Sequence, residues 1–202
     1  MQGKSIYHQS QKQLLSENDV VEAAKKDPKQ FEALYKKYYE QIFRYIHQRM
    51  DDKEMAFDIT SQVFLKAMIN LPKYKYKGVP FSSWLYRIAM SEVYQSFKDK
   101  KSTRTVNVDT SNVEDIIDEV EQDNTGEMKQ ALVEVIGDLP EIELQIIEMR
   151  YFEKRSYREI GDILGMTENN AKVRAYRIVE KLKKSFSMRL TLKENIIFLK
   201  RK

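Results

Sequence analysis

Residues 157–184 constrain this chain more than any other stretch, because their apolar spacing, one glycine and one threonine fit a helix-turn-helix. Ile160, Ile163 and Leu164 recur at helical spacing and share one face of a short helix. Gly165 stops that helix, since glycine enters the left-handed backbone region without steric penalty. Thr167 is placed to cap the next helix by accepting from a free backbone N–H. The second helix is predicted to bury Ala171, Ala175, Ile178 and Leu182 and to expose Lys172, Arg174, Arg177 and Lys181. A helix presenting cations from its N-terminal half has the form that fits a DNA major groove. On these residues alone, a short helical hairpin with a solvated basic face is the alternative.

With 202 residues, 42% of them hydrophobic, and few Gly or Pro, the chain can hold one large or two small domains, mostly helical. Its net charge of +4 is unevenly spread. Between residues 105 and 127 there is no Lys or Arg, while Asp109, Glu114, Asp115, Asp118, Glu119, Glu121, Asp123 and Glu127 are acidic. Without those eight carboxylates the remainder carries about +12. Two basic blocks around an acidic connector favour a polyanionic partner.

Other classes are disfavoured. The absence of cysteine excludes disulfides and thiolate metal sites, and nothing argues for secretion. Residues 1–19 are polar and lack the apolar core of a signal peptide, and no apolar run is long enough to cross a bilayer. A cytoplasmic location without membrane insertion is therefore expected. The only histidines, His8 and His47, are expected to be solvated, and no glycines are spaced as a phosphate-binding loop. A flexible acidic connector is a poor cage for Mg²⁺. No enzymatic activity, catalytic residue, cofactor or metal is expected.

The fold class read from these patterns is all-α, with two small helical domains joined by an acidic flexible linker. The first domain spans about residues 16–101. Asn18 or Asp19 is a candidate cap for a short helix holding Val20, Val21 and Ala24, and Asp27-Pro28 marks the next turn. Phe31, Leu34, Tyr35, Tyr38, Ile42, Tyr45 and Ile46 form an apolar stripe. Asp51 or Asp52 opens a third helix, with Ala56, Ile59, Val63, Phe64 and Ala67 inward, ending before Leu71-Pro72. A loop then runs from Lys73 to Phe81, and Ser82 or Ser83 is a candidate cap for a fourth helix holding Trp84, Leu85, Ile88, Ala89 and Val93.

That loop interleaves Tyr74, Tyr76, Phe81, Trp84 and Tyr86 with Lys73, Lys75, Lys77 and Arg87. Rings between cations suit single-stranded nucleic acid, in which bases stack for about 1–3 kcal/mol each while cations hold phosphates. Phe81 and Trp84 also fit as core residues. Tyr74 and Tyr76 are expected to be exposed, because a lysine-rich loop resists deep burial. The linker, residues 102–127, is expected to be flexible, with one short amphipathic helix across Val113, Ile116, Ile117 and Val120. The second domain, residues 128–186, opens with Ala131, Val135 and Leu139, continues with Leu144, Ile147, Met149, Arg150 and Tyr151, and closes with the helix-turn-helix. Residues 187–202 are expected to form a loosely ordered basic tail, with a short helix as the alternative.

The run Asp58-Ile-Thr-Ser-Gln-Val-Phe-Leu-Lys-Ala67, the loop, and Phe81-Ser-Ser-Trp-Leu-Tyr-Arg-Ile-Ala89 resemble region 2 of bacterial sigma factors. Leu139-Pro140, Glu148-Met-Arg-Tyr-Phe-Glu153, Ser156-Tyr-Arg-Glu-Ile-Gly-Asp-Ile-Leu-Gly-Met-Thr167 and Lys172-Val-Arg-Ala-Tyr-Arg177 resemble region 4. Two such blocks with nothing but a short linker between them resemble the extracytoplasmic-function group of the sigma-70 family. The resemblance implies a factor that binds RNA polymerase core and directs promoter-specific initiation. Its implied partners are the β′ clamp and β flap of the core and promoter DNA, and it admits an anti-sigma factor.

The resemblance also implies roles for single residues. Asp58, Ile59, Gln62, Val63 and Lys66 would dock on the polymerase clamp. Tyr74, Lys75, Tyr76, Lys77 and Phe81 would recognise a base flipped out of the −10 element, and Trp84, Arg87, Ser91 and Tyr94 would line the opened strand. Glu168, Asn169, Asn170, Lys172, Val173, Arg174 and Arg177 would read the −35 element. The linker would occupy the RNA exit channel and active-site cleft of the core. Three positions depart from the pattern. Ser61-Gln62 stands where relatives often have Gln-Glu, Ser91 where they often have Asn, and Gln95 where they often have Asp. Serine cannot offer the paired donor and acceptor of asparagine, so −10 preference does not carry over from the resemblance.

Overall fold

A computed structural model describes residues 9–50, 52–100 and 126–200, and among these it contains eight α-helices and no strand. The helices divide into two compact units, one before and one after the acidic linker, except that residues 162–166 are grouped with the first. Most of that linker, including the helix expected across Val113, Ile116, Ile117 and Val120, lies outside the described residues.

In the first unit α1 (Gln11–Lys26) begins earlier than a cap at Asn18 or Asp19 would allow. Ser10 Oγ accepts from the Gln13 N–H at 3.3 Å, and Gln13 Oε1 accepts from the Ser10 N–H at 2.8 Å. This reciprocal capping box meets two free N–H groups and starts the helix ahead of its apolar residues. Asp27 caps a short 3₁₀ turn at Pro28–Gln30. Helix α2 (Phe31–His47) buries Phe31, Leu34, Tyr38, Ile42, Tyr45 and Ile46, as the stripe requires. Tyr35 is the exception, since it is exposed and lies 4.9 Å from the Phe64 ring. His47 is half-buried and stacks on Phe43 at 5.5 Å rather than standing in solvent.

Asp52 opens α3 (Lys53–Asn70), its carboxylate accepting from the Glu54 N–H at 2.8 Å and the Met55 N–H at 3.2 Å. Pro72 lies in a 3₁₀ turn at Leu71–Lys73 that ends the run. Helix α4 (Phe81–Lys100) starts at Phe81, so Ser82 and Ser83 lie inside its first turn and are buried. Ile42, Ile46, Val63, Ala67, Leu85 and Ala89 are fully buried where α2, α3 and α4 pack.

In the second unit α5 (Gly126–Gly137) and α6 (Glu141–Ile147) flank Pro140. A wider turn at Glu148–Phe152 follows, closed by the Glu153 N–H on the Glu148 carbonyl at 3.0 Å. Lys154 then takes a left-handed backbone (φ 55°), and Arg155 turns into the interior, where its Nε donates to Glu153 Oε2 at 2.7 Å. Helix α7 (Tyr157–Leu164) opens on a second capping box. The Ser156 N–H donates to Glu159 Oε2 at 2.8 Å, and the Glu159 N–H donates to Ser156 Oγ at 3.2 Å. Gly165 has φ +68° and Thr167 Oγ1 accepts from the Asn170 N–H at 3.2 Å, so both turn residues act as their chemistry predicts.

Helix α8 (Glu168–Lys200) is longer than expected. The expected loose tail from residue 187 is instead a continuation of the helix to Lys200, over a stretch that contains no Gly or Pro to break it. The core of this unit joins Leu132, Ile136, Leu144, Ile147, Ile160, Ala171, Ala175 and Leu182.

A Cβ added at Gly165 meets nothing within 4 Å, so Gly165→Ala carries only backbone strain. The expected loss is about 1–2 kcal/mol of stability, read by urea unfolding followed by circular dichroism. An unchanged midpoint would show that the left-handed turn is not required.

Candidate nucleic-acid interface

The loop before α4 has two sides. Tyr74 follows directly on the 3₁₀ turn at Leu71–Lys73 with φ −63° and ψ 136°, and its ring turns inward. Lys73, Lys75 and Lys77 are exposed, while Tyr74, Val79, Pro80 and Phe81 are buried. Tyr74 therefore does not offer a free ring for stacking, and Phe81 is likewise a core residue. Tyr74 packs 5.1 Å from Phe81 and 5.1 Å from Trp84, and Phe81 lies 5.4 Å from Trp84. The rings left within reach of a ligand are the half-exposed Tyr76 and Trp84.

Trp84 begins a line of side chains along α4. At 3.6 residues per turn, Trp84, Arg87, Ser91 and Tyr94 share one face, and Leu85, Tyr86, Ala89 and Val93 occupy the buried one. Ser91 is exposed and Tyr94 retains 70% of its surface. Cations and rings thus adjoin along the loop and this face, a combination that suits an unpaired strand.

On α3 the expected contact set is split. Asp58, Gln62 and Lys66 are exposed, but Ile59 and Val63 are core residues and cannot touch a partner directly. Lys66 holds the buried Glu92 carboxylate, with Nζ 2.6 Å from Oε2. The apolar side chains that α3 does expose are Phe57, Leu65, Met68 and Ile69. They were missed because α3 is apolar on both sides, so spacing alone does not select the buried one.

In the second unit Glu168, Asn169, Asn170, Lys172, Val173, Arg174 and Arg177 are all exposed on the first turns of α8. They do not form one evenly basic face. At about 100° per residue, Lys172 and Arg174 project about 160° apart. Arg174, Arg177 and Lys181 share one flank and line a shallow groove with Ile142, Glu143 and Ile146 of α6. Lys181 Nζ lies 2.7 Å from Glu143 Oε2. Tyr176, absent from the expected set, is 54% exposed on the same helix surface, 6.4 Å from the Tyr157 ring. Among the described residues no group of three or more acidic or histidine side chains is arranged to hold a metal ion, and no helix is long and apolar enough to cross a membrane.

Residues 34–103 match sigma-70 region 2, and residues 129–182 match sigma-70 region 4. The chain is 27% identical over 154 residues to the ECF RNA polymerase sigma factor BldN of Streptomyces coelicolor, a match spanning 75% of this chain and 58% of that protein. It is 28% identical over 153 residues to the RNA polymerase sigma factor SigZ of Bacillus subtilis, spanning 75% of this chain and 84% of that protein. Among solved structures, CnrH in complex with the cytosolic domain of CnrY aligns over 88% of this chain and 98% of that chain, with TM-score 0.55 and 15% identity, which is a likeness of fold.

The burial of Tyr74 has a pH signature. Burial disfavours its phenolate, the nearby Glu17 carboxylate opposes it further, and its ionisation is pushed well above the ordinary 10.0. The folded value exceeds the unfolded one, so this contribution to stability is complete below the unfolded value and is lost as pH rises through the folded one. Tyr74→Phe is expected to lose less stability than the parent between about pH 10 and about pH 11, read by urea unfolding at both values. Equal losses in the two proteins would contradict a buried hydroxyl at this position.

Proposed function

This chain belongs to the sigma-70 family of RNA polymerase sigma factors, in its extracytoplasmic-function group, and we propose that it brings core polymerase to promoters by reading a −35 element with α8 and capturing an opened −10 element at the loop before α4. The observation that carries the reading is the order of the two matches in one chain, region 2 and then region 4, each containing an exposed surface of the right chemistry.

The residue roles follow from exposure. On α8, Asn169, Asn170, Val173 and Arg177 face base edges, Glu168 stands at the first turn, and Lys172 and Arg174 meet phosphates on the two sides. Around the loop, Lys73, Lys75 and Lys77 hold phosphates, while Tyr76 and Trp84 replace Tyr74 and Phe81 as the stacking rings. Arg87, Ser91 and Tyr94 continue the strand's path. On α3, Asp58, Gln62 and Lys66 meet the polymerase clamp together with Phe57, Leu65, Met68 and Ile69, and Ile59 and Val63 support that surface from beneath. The β flap and an anti-sigma factor are further proposed partners, and the proposed location is the cytoplasm, where the polymerase works.

No bond is made or broken by this chain in that role. Capturing an unstacked base offsets part of the few kcal/mol, roughly, that unpairing costs. Phosphate contacts release counterions, so promoter affinity falls steeply with salt.

Run-off transcription with purified core polymerase across candidate promoters tests the whole reading. Initiation at a defined subset is expected, and initiation at none overturns it. For α8, Arg174→Ala with Arg177→Ala is expected to weaken promoter binding about tenfold and, since only Arg174 meets a phosphate, to make the log–log salt slope shallower by about 1. Lys172→Ala should weaken binding less, and affinity for core polymerase should stay unchanged in both variants. Promoter affinity equal to that of the parent removes α8 from the duplex.

A further inference from the structure

The helix that precedes the region 2 match is attached to the loop at both ends. The match begins at residue 34, after α1 has ended. Lys25 Nζ of α1 donates to the Tyr74 carbonyl at 2.9 Å, lies 5.8 Å from the centre of the Tyr74 ring, and is itself held by Glu22 Oε1 at 2.7 Å. Two turns earlier on the same helix, Glu17 Oε2 accepts from the Phe81 N–H at 2.7 Å. That N–H is the first of α4, where the free amides and the helix dipole favour a negative charge.

Glu17 is built in firmly. Its side chain keeps 5% of its surface. Oε1 accepts from Lys37 Nζ at 2.6 Å, from Gln9 Nε2 at 3.3 Å and from the Tyr38 hydroxyl. A buried carboxylate with donors on both oxygens is fixed in place, because moving it would strand a charge away from water. Glu17 and Lys25 lie about two helical turns apart, roughly 12 Å along α1 at 1.5 Å per residue. Residues 74–81 are therefore fastened at their first carbonyl and their last N–H to one rigid rod.

We propose that α1 is a brace for the basic loop, and that Glu17 and Lys25 are positioning residues that hold residues 74–81 ready for the unpaired strand. Neither touches the strand. They act by removing the freedom the loop would otherwise lose on binding, which weakens capture if it is left in place. The inference rests on the proposed function of the loop, but the fastening itself is measurable without it.

The test uses the full chain with Lys25→Met, Lys25→Arg and Glu17→Gln. Lys25→Met removes the donor while keeping an apolar stem, and Lys25→Arg restores a donor. Glu17→Gln keeps an acceptor for the Phe81 N–H and serves if larger changes unfold the protein. Hydrogen exchange at the Phe81 amide, which donates to Glu17, is expected to quicken about tenfold in Lys25→Met and, with a neutral acceptor in place of the carboxylate, in Glu17→Gln, and to return towards the parent in Lys25→Arg. With core polymerase, promoter opening followed by permanganate should slow by a similar factor, while affinity for core and for a −35 duplex stays level. Unchanged exchange in both Lys25→Met and Glu17→Gln overturns the brace. Faster exchange with opening at the parental rate overturns its role in positioning. If the parent protein opens no promoter, the functional reading falls, and exchange alone decides whether α1 holds the loop.

Discussion

Three lysines within residues 73–77 repel one another, and a loop that carries them keeps one conformation only if something else holds it. Here the holding groups are the residues between and beyond the lysines. Tyr74, Val79, Pro80 and Phe81 are buried, and burial of one large apolar side chain is worth about 1.5–3 kcal/mol. Repulsion among exposed ammonium groups is weaker, because salt screens it beyond about 10 Å. The apolar side therefore wins, and the cations are presented outward as a consequence. Everything assigned to the first unit's nucleic-acid surface depends on that division, including the line of Trp84, Arg87, Ser91 and Tyr94 that begins where the loop ends.

The second unit meets a different constraint. A helix that buries Ala171, Ala175, Ile178 and Leu182 has no more than about two-thirds of its circumference left for a ligand. Lys172 and Arg174 fall at the edges of that arc, with Asn169, Val173 and Arg177 between them. On the proposed reading this separation is useful. A helix lying in a major groove has a phosphate wall on each side and base edges in front. Cations at the margins then position the helix, and the shorter polar side chains between them discriminate sequence. A single basic stripe would have met only one wall.

Where one pattern dominated locally, the fold was legible from the residues. The stripe of α2 is followed by polar residues on its other side, so its buried set could be named, with Tyr35 as the exception. Gly165 and Thr167 marked the turn between α7 and α8 because each has one physical use there. Helix α3 was only partly legible, since Phe57, Leu65, Met68 and Ile69 are as apolar as Ile59 and Val63, and only packing chooses between the two sides. The start of α1 was missed because Ser10 and Gln13 act through caps in a stretch with no apolar repeat to draw notice. Tyr74 was not legible, because a lysine-rich loop argues for exposure by composition, and what buries the ring is its packing on Phe81 and Trp84 further along the chain.

Glu17 could not have been assigned from spacing, because its importance comes from a contact with Phe81, far along the chain. A carboxylate inside a helical unit is tolerated only where donors converge, and here Lys37, Gln9, the Tyr38 hydroxyl and the Phe81 N–H do so. Those donors come from α1's approach, α2 and the start of α4, so the loop, α1 and α2 share one polar contact within an otherwise apolar core. Neutral hydrophobic packing would tolerate small slides of α4 along its neighbours. A buried charge with fixed donors does not, because each slide breaks a charged hydrogen bond at roughly 1.5–3 kcal/mol. The geometry at the end of the loop is accordingly set by directional contacts, and the helix that supplies them lies outside the part of the chain that the region 2 match covers.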